Sequence, residues 1–396
     1  NERPADHNQM IEIFYNCSMR QIIILSFCCI LISCEKKKTA SSGRAESNQQ
    51  STIHYAEGFT VQYQGKNKLV EVKYPFQGAT TGYKYLLVQK GGPIAKHDSD
   101  VKVISIPLTS IVCTSTTHLP LLDYLGESEK LIGFPSTDYI SSEKIRRRID
   151  EGQVTDLGRD EGMNLERLAM LKPGMVMGYS MGSDYGQFKK IEELHIPVVI
   201  NAEYLEKHPL GRAEWIKFMA LFFNKEHQAD SIFRSIEKSY LQIKSSVDAA
   251  QLRRPTVLSG IVYSDAWFVP GGNNYASKIL KDAGCHYLWE ENPSNGFLEL
   301  SFESVYEKAH DVDLWIGVGN FSSMHELETA DHRYTRFAAF QQKKVYTFDA
   351  RRGAKGGSEY LELGYLRPDI ILKDLVKIGH PDLLPGYDLY FHKRLE

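Results

Sequence analysis

EHQADSIFRSIEKSYLQIKSSVDAA, residues 226–250, is the longest helical stretch in the chain, and the fold turns on it. Ala229, Ile232, Phe233, Ile236, Tyr240, Ile243 and Val247 recur at spacings of three and four, which puts them on one face of an α-helix. At 1.5 Å per residue these positions span roughly 37 Å, enough to cross a whole domain. A shorter helical segment at 215–223 precedes them, and the sequence on either side follows another rule.

On the N-terminal side, apolar β-patterned runs at 101–106, 131–134, 175–179 and 198–200 alternate with helical ones at 119–125, 164–171 and 187–194. After Arg253-Arg254-Pro255 the alternation restarts, with strands at 256–262, 314–318 and 345–348 and helices at 275–283, 337–340 and 361–378. Strands alternating with helices specify parallel sheets covered by helices. The expected class is α/β: two Rossmann-like parallel-sheet lobes joined by one long backbone helix. Three short β runs at 59–63, 69–74 and 83–88, separated by Gly, Asn and Lys turns, predict a small antiparallel N-terminal β extension. The expected divisions are a signal peptide at 1–33, a lipidated cysteine and tether at 34–56, the β extension at 57–97, an N-terminal lobe at 98–209, linking helices at 210–252 and a C-terminal lobe at 253–396.

The first forty residues read as an address. Positions 22–32 are apolar except for Ser26. A bilayer takes about 20 apolar residues, so the run is too short to span one but suits the core of an export signal. It ends Leu31-Ile32-Ser33-Cys34 and turns polar at Glu35-Lys36-Lys37-Lys38. This resembles a bacterial lipobox, in which cleavage leaves a cysteine as the lipidated amino terminus, with Met19 as the natural start. The implied location is extracytoplasmic or periplasmic, held to the membrane through Cys34 alone. A cleaved signal with an incidental Cys34 is the alternative. Residues 39–51, rich in Ser, Asn and Gln, read as a flexible tether.

Composition narrows the function. Lys plus Arg number 47 against 50 Asp plus Glu, so no basic excess exists to hold nucleic acid. Of six cysteines, four lie at or before position 34, and Cys113 and Cys285 are expected to be buried thiols.

A local repeat links the lobes. Asn164-Leu165-Glu166-Arg167-Leu168 precedes the strand at 175–177, and Ser301-Phe302-Glu303-Ser304-Val305 precedes that at 314–317. Each copy has a helix-capping residue and, two places on, a glutamate that the helix dipole favours.

LGESEKLIGFPSTDY, followed by DLGRDEGMNLERLAMLKPGMVM, resembles the first lobe of periplasmic substrate-binding proteins for iron–siderophore, haem and cobalamin ABC importers. WFVPGGNNYASKILKDAGCHYLW and LSFESVYEKAHDVDLWIGVG are similar to the second. The resemblance covers roughly residues 100–380. It implies a solute-binding protein that is not an enzyme, has no resident cofactor, works as a monomer and delivers a small-molecule metal chelate to a permease dimer. Glu166 and Glu303 occupy the positions at which that family docks onto permease arginines, a directional contact suited to a two-fold partner. Family ligands lie between the lobes, against loops after strand ends. Mapped onto this chain, those loops offer Tyr139, Arg159, Tyr179, Trp267, Phe268, Arg351 and Arg352, a set suited to a large, planar or aromatic, anionic ligand. Closure is expected to be small, because a continuous helix offers few hinges.

Two other readings compete. Gly178-Tyr179-Ser180-Met181-Gly182 matches the G-x-S-x-G elbow of an α/β-hydrolase esterase, with His286, His310, His325 or His332 to complete it. No His-Gly-Gly oxyanion loop precedes it, and a three-position match is weak. A bare zinc or manganese site needs His and carboxylate ligands from both lobes, yet the 13 His are scattered, with only His118 beside an early strand end. The glycine-rich VPGGNNY and RRGAKGGSEY lack the Lys-Ser/Thr pair of a phosphate loop.

Overall fold

The computed structural model describes residues 52–159, 162–182 and 185–396. The expected export signal and lipidated Cys34 lie outside the described residues.

Strands β1 (Phe59–Gln64), β2 (Asn67–Val72), β3 (Tyr83–Gln89) and β4 (Lys102–Ile106) form one sheet in that order. The first three are antiparallel, and β4 lies parallel to β3. The run expected to open the N-terminal lobe is therefore the last strand of the extension. Its apolar pattern predicts a strand but not the strand beside it, and β3 takes the place expected of a lobe neighbour.

The first lobe begins instead at β5 (Ile111–Cys113), too short for the sequence pattern to reveal. It continues with β6 (Leu131–Phe134), β7 (Thr155–Asp156), β8 (Val176–Gly178) and β9 (Val198–Ile200). The sheet order is β7-β6-β5-β8-β9, all parallel. Helices His118–Tyr124, Leu165–Leu171 and Gly186–Glu193 lie close to expectation. Glu143–Asp150 is an additional helix whose one buried residue, Ile145, gives little apolar periodicity.

Two helices link the lobes. In Pro209–Leu221 every residue but Arg212 is buried, the ion-paired Glu214 and Lys217 included. Glu226–Ala250 has the expected bounds and buries Ala229, Phe233, Ile236, Tyr240, Ile243 and Val247, one side of the cylinder.

The second lobe contains β10 (Thr256–Ser259), β11 (Val262–Tyr263), β12 (Ala266–Pro270), β13 (His286–Tyr287), β14 (Phe297–Leu300), β15 (Leu314–Ile316), β16 (Val345–Thr347) and β17 (Lys393–Arg394). The order β13-β10-β15-β16-β17 is parallel except at β17, and β11-β12-β14 form a separate antiparallel sheet. The single strand expected at 256–262 is thus two strands in different sheets, divided at Gly260, whose φ of 81° an L side chain rarely adopts. Helix Pro368–Gly379 packs on Glu226–Ala250, and one apolar core runs from Phe59 through Trp215 and Phe218 into both lobes. Cys113 and Cys285 are buried and unbridged, and burial pushes both thiols up, Cys285 to about 12. Among the described residues no helix is long and apolar enough to cross a membrane.

Candidate functional site

Carboxyl ends of parallel strands from both lobes face a shared cleft of two adjoining compartments. The first, about 830 Å³, takes Thr114–Thr116 after β5, Ser136 and Tyr139 after β6, Arg159 after β7 and Tyr179 after β8. The second lobe supplies Asn320 after β15, and Asp349, Arg352 and Ser358 after β16. The chemistry here is polar. Thr114 Oγ1, Asp349 Oδ1 and Ser358 Oγ are buried without a hydrogen-bond partner among the described residues. Such groups cost about 1–3 kcal/mol each when left unsatisfied, and none of these three atoms is itself open to the cleft. Asp349 Oδ2 pairs with Arg352, whose Nη2 also donates to the Asn320 carbonyl at 3.2 Å.

The second compartment, about 890 Å³, is the more aromatic. Tyr204, Phe268, Tyr275, Phe348, Tyr360 and Tyr365 line it, with Tyr179 and Phe348 shared between the two. The Arg212 guanidinium lies over Tyr275 at 3.9 Å and Tyr365 at 4.3 Å, and donates to the carbonyls of Glu206 at 3.1 Å and Tyr204 at 2.9 Å. Arginine stacked on two second-lobe rings and hydrogen-bonded to the first lobe ties the lobes behind the cleft. At its base Thr117 donates to Glu203, whose carboxyl burial holds up at about 7. His118 Nε2 lies 3.9 Å from Glu203 Oε2, and burial drives that imidazole down to about 3, leaving it neutral at pH 7.

Of the residues expected at the cleft, Tyr139, Arg159, Tyr179 and Arg352 line the first compartment, and Phe268 and Tyr179 the second. Two expectations are corrected. Trp267 is 0% exposed: it packs on Trp315 at 5.4 Å and Phe337 at 5.5 Å and donates its indole N–H to the Ser259 carbonyl. Successive residues of a strand face opposite ways, so in β12 Phe268 takes the cleft and Trp267 the core. Arg351 lies instead against Tyr390, 4.2 Å from the ring centroid, while its neighbour Arg352 bridges to Ser358 and faces the cleft. Thr114, Asp349, Ser358, Arg212 and Tyr275 were not foreseen, since only the fold tells which hydroxyls and rings meet.

Glu166 and Glu303 are exposed, each the second residue of a capped helix. Asn164 Oδ1 accepts from Arg167 N at 2.9 Å and Ser301 Oγ from Ser304 N at 3.2 Å, so the sequence repeat is a structural one. Arg333 stands 3.8 Å from Glu303.

The competing motifs have structural explanations. The Ser180 hydroxyl donates to the Gly182 carbonyl at 2.6 Å rather than to a histidine. Any Cβ on Gly178 would lie 2.5 Å from the Phe188 ring, so that glycine answers to packing. In VPGGNNY, Gly271 and Gly272 lie against carbonyls of Ser294 and Glu290, and Asn274 caps helix Tyr275–Asp282. No group of three or more His, Cys, Asp or Glu among the described residues is placed to hold a metal ion.

Two α/β lobes, a bridging helix and an interlobe cleft at strand ends define a two-lobed binding protein. The profile of the family described as "Periplasmic binding protein" matches residues 111–352, more than half of the chain, which belongs to that family. An "Uncharacterized lipoprotein" of Methanocaldococcus jannaschii is 25% identical, over 94% of this chain and 96% of its own. The fold is shared with a periplasmic haem-binding protein from Pseudomonas aeruginosa, at 16% identity and TM-score 0.57 over 73% of this chain and 98% of that one. It is also shared with a structure described as a possible iron-binding (periplasmic solute-binding) protein from Staphylococcus epidermidis, at 18% identity and TM-score 0.54 over 69% of this chain and 100% of that one.

Proposed function

We propose that the protein is the solute-binding component of an ABC importer, anchored outside the cytoplasm through lipid on Cys34, and that it captures an iron–siderophore or a related metal chelate such as haem or cobalamin. The observation that carries this reading is the convergence of strand ends from both lobes on one cleft with a polar and an aromatic half. Arg159 and Arg352 suit carboxylate or catecholate oxygens, and the aromatic half suits a planar body. No bond need be made or broken, and the Ser180 hydroxyl is engaged by a backbone carbonyl rather than by a histidine. The haem-binding and possible iron-binding descriptions of the two structures, and the lipoprotein description of the relative, point the same way.

Delivery follows from Glu166 and Glu303, one exposed carboxylate per lobe at equivalent helix positions, which engage arginines of a two-fold permease. The test is chelate uptake by cells carrying Glu166→Ala together with Glu303→Ala. Transport is expected to be lost with ligand affinity unchanged; unaffected transport, or lost affinity, contradicts the docking role.

A further inference from the structure

We infer that the N-terminal β extension is a third wall of the ligand cleft, and that the loop between β2 and β3 touches the bound chelate and selects among chelates by size. The extension lies outside the part of the chain that the family profile describes, which begins at Ile111. It is nevertheless fixed to the linking helices by buried charge. The Glu214 carboxylate accepts from the backbone N–H groups of His54 at 3.0 Å, Tyr55 at 2.7 Å and Ala56 at 2.9 Å. Glu206 accepts from Glu57 at 3.0 Å and Gly58 at 2.8 Å. The Lys68 ammonium donates to the Leu221 carbonyl at 3.0 Å and to Asn224 at 2.9 Å. Buried carboxylates and ammoniums are costly to leave unpaired, so these contacts give the extension one seat.

From that seat the loop reaches the site. Tyr74, Phe76, Gln77 and Gly78 line the aromatic compartment. Gln77 lines this compartment together with Tyr204 of the first lobe, and its side-chain nitrogen lies 3.7 Å from where a Cβ on Gly296 of the second lobe would sit. Tyr74 is 52% exposed and Phe297, which lines the same compartment from the second lobe, 64% exposed. Two large, largely exposed rings lining one cavity offer apolar surface to whatever enters. A planar chelate wide enough to protrude from the strand-end loops would be covered by them; a small one would not.

This inference rests on reading the cleft as a chelate site, and the experiment separates the two. The full chain, Tyr74→Ser with Phe76→Ser, and Gln77→Trp are each titrated with haemin, cyanocobalamin and a ferric tricatecholate, with thermal melts alongside. The double variant is expected to lose about tenfold in affinity for the probes that the wild type binds, the worth of two aromatic contacts. Gln77→Trp, an exposed change that the fold tolerates, is expected to narrow the mouth and weaken the bulkiest bound probe most, shifting the ratio of affinities without moving the melting temperature. Should the double variant fail to fold, that ratio decides alone. Wild-type binding with affinities and ratios unchanged in the variants overturns the inference and leaves the chelate reading standing. Wild-type binding to none of the three probes overturns both.

Discussion

Glycine 58 shows how closely single residues are specified here. A Cβ at that position would lie 2.9 Å from the Trp215 ring and 3.0 Å from Glu206 Oε1, both inside the core. Gly58→Ala is expected to lower stability by about 1–3 kcal/mol, seen as an earlier midpoint in urea unfolding with an unchanged slope. Glu362 carries a pH signature. Its carboxylate accepts from Ser141 N at 2.6 Å and Ser142 N at 3.1 Å, joining the second lobe to the first, while burial holds its pKa up at about 7 against an ordinary 4.5. The folded chain therefore keeps a proton that the unfolded chain has released, and the stability tied to it is present below the unfolded pKa and lost as pH rises through 7. Glu362→Gln does not titrate. Relative to wild type, its stability is expected to rise between about pH 5 and pH 8, by on the order of 2 kcal/mol. A pH-independent difference between the two would contradict the assignment. Residue-scale reading of the sequence went astray where two neighbours were assigned one role: Trp267 with Phe268, and Arg351 with Arg352. The stretch was legible in both pairs but the face was not: Trp267 and Phe268 lie in β12 rather than in a loop, and extended chain sends adjacent side chains to opposite sides.

Elements with strong periodicity were the legible ones. Helix Glu226–Ala250 has the bounds that its apolar spacing predicts, since it buries one face on the core. Pairing partners were less legible. Strand β4 reads as well for a lobe as for the extension, and three-residue β5 gives no pattern. Residues 52–56 were expected to continue a loose tether, yet Glu214, in the first of the linking helices, holds their backbone. Contacts between residues about 160 positions apart leave no local trace in sequence. Glu214→Ala strips those N–H groups of their acceptor and leaves the buried Lys217 ammonium, 2.9 Å away, without that partner. A cost of about 3–5 kcal/mol is expected in thermal or chemical unfolding, together with faster amide exchange in the extension. A cost near zero would mean that the extension is not held by this carboxylate.

At the scale of the molecule, the lobes meet on more than one side of the cleft. Arg212 links them behind it, and Glu362 holds Ser141 and Ser142 at the start of helix Glu143–Asp150. Gly353 and Gly357 reinforce the second junction, where a Cβ would fall 2.5 Å from Ser141 Cα and 2.0 Å from the Tyr139 carbonyl oxygen. The two-lobed α/β plan was legible from alternating strands and helices about one long amphipathic stretch, and the cleft from the family resemblance. The division of that cleft into polar and aromatic halves was not, because it arises from side chains far apart in sequence. The central claim is that this cleft holds a metal chelate rather than a bare ion. Its most direct test is an equilibrium titration of the full chain, by absorption and intrinsic fluorescence, with haemin, cyanocobalamin, a ferric tricatecholate and Zn²⁺. Saturable one-to-one binding of at least one chelate, abolished or weakened when Arg352 is replaced by Ala, is the expected result; binding of Zn²⁺ alone would contradict the account.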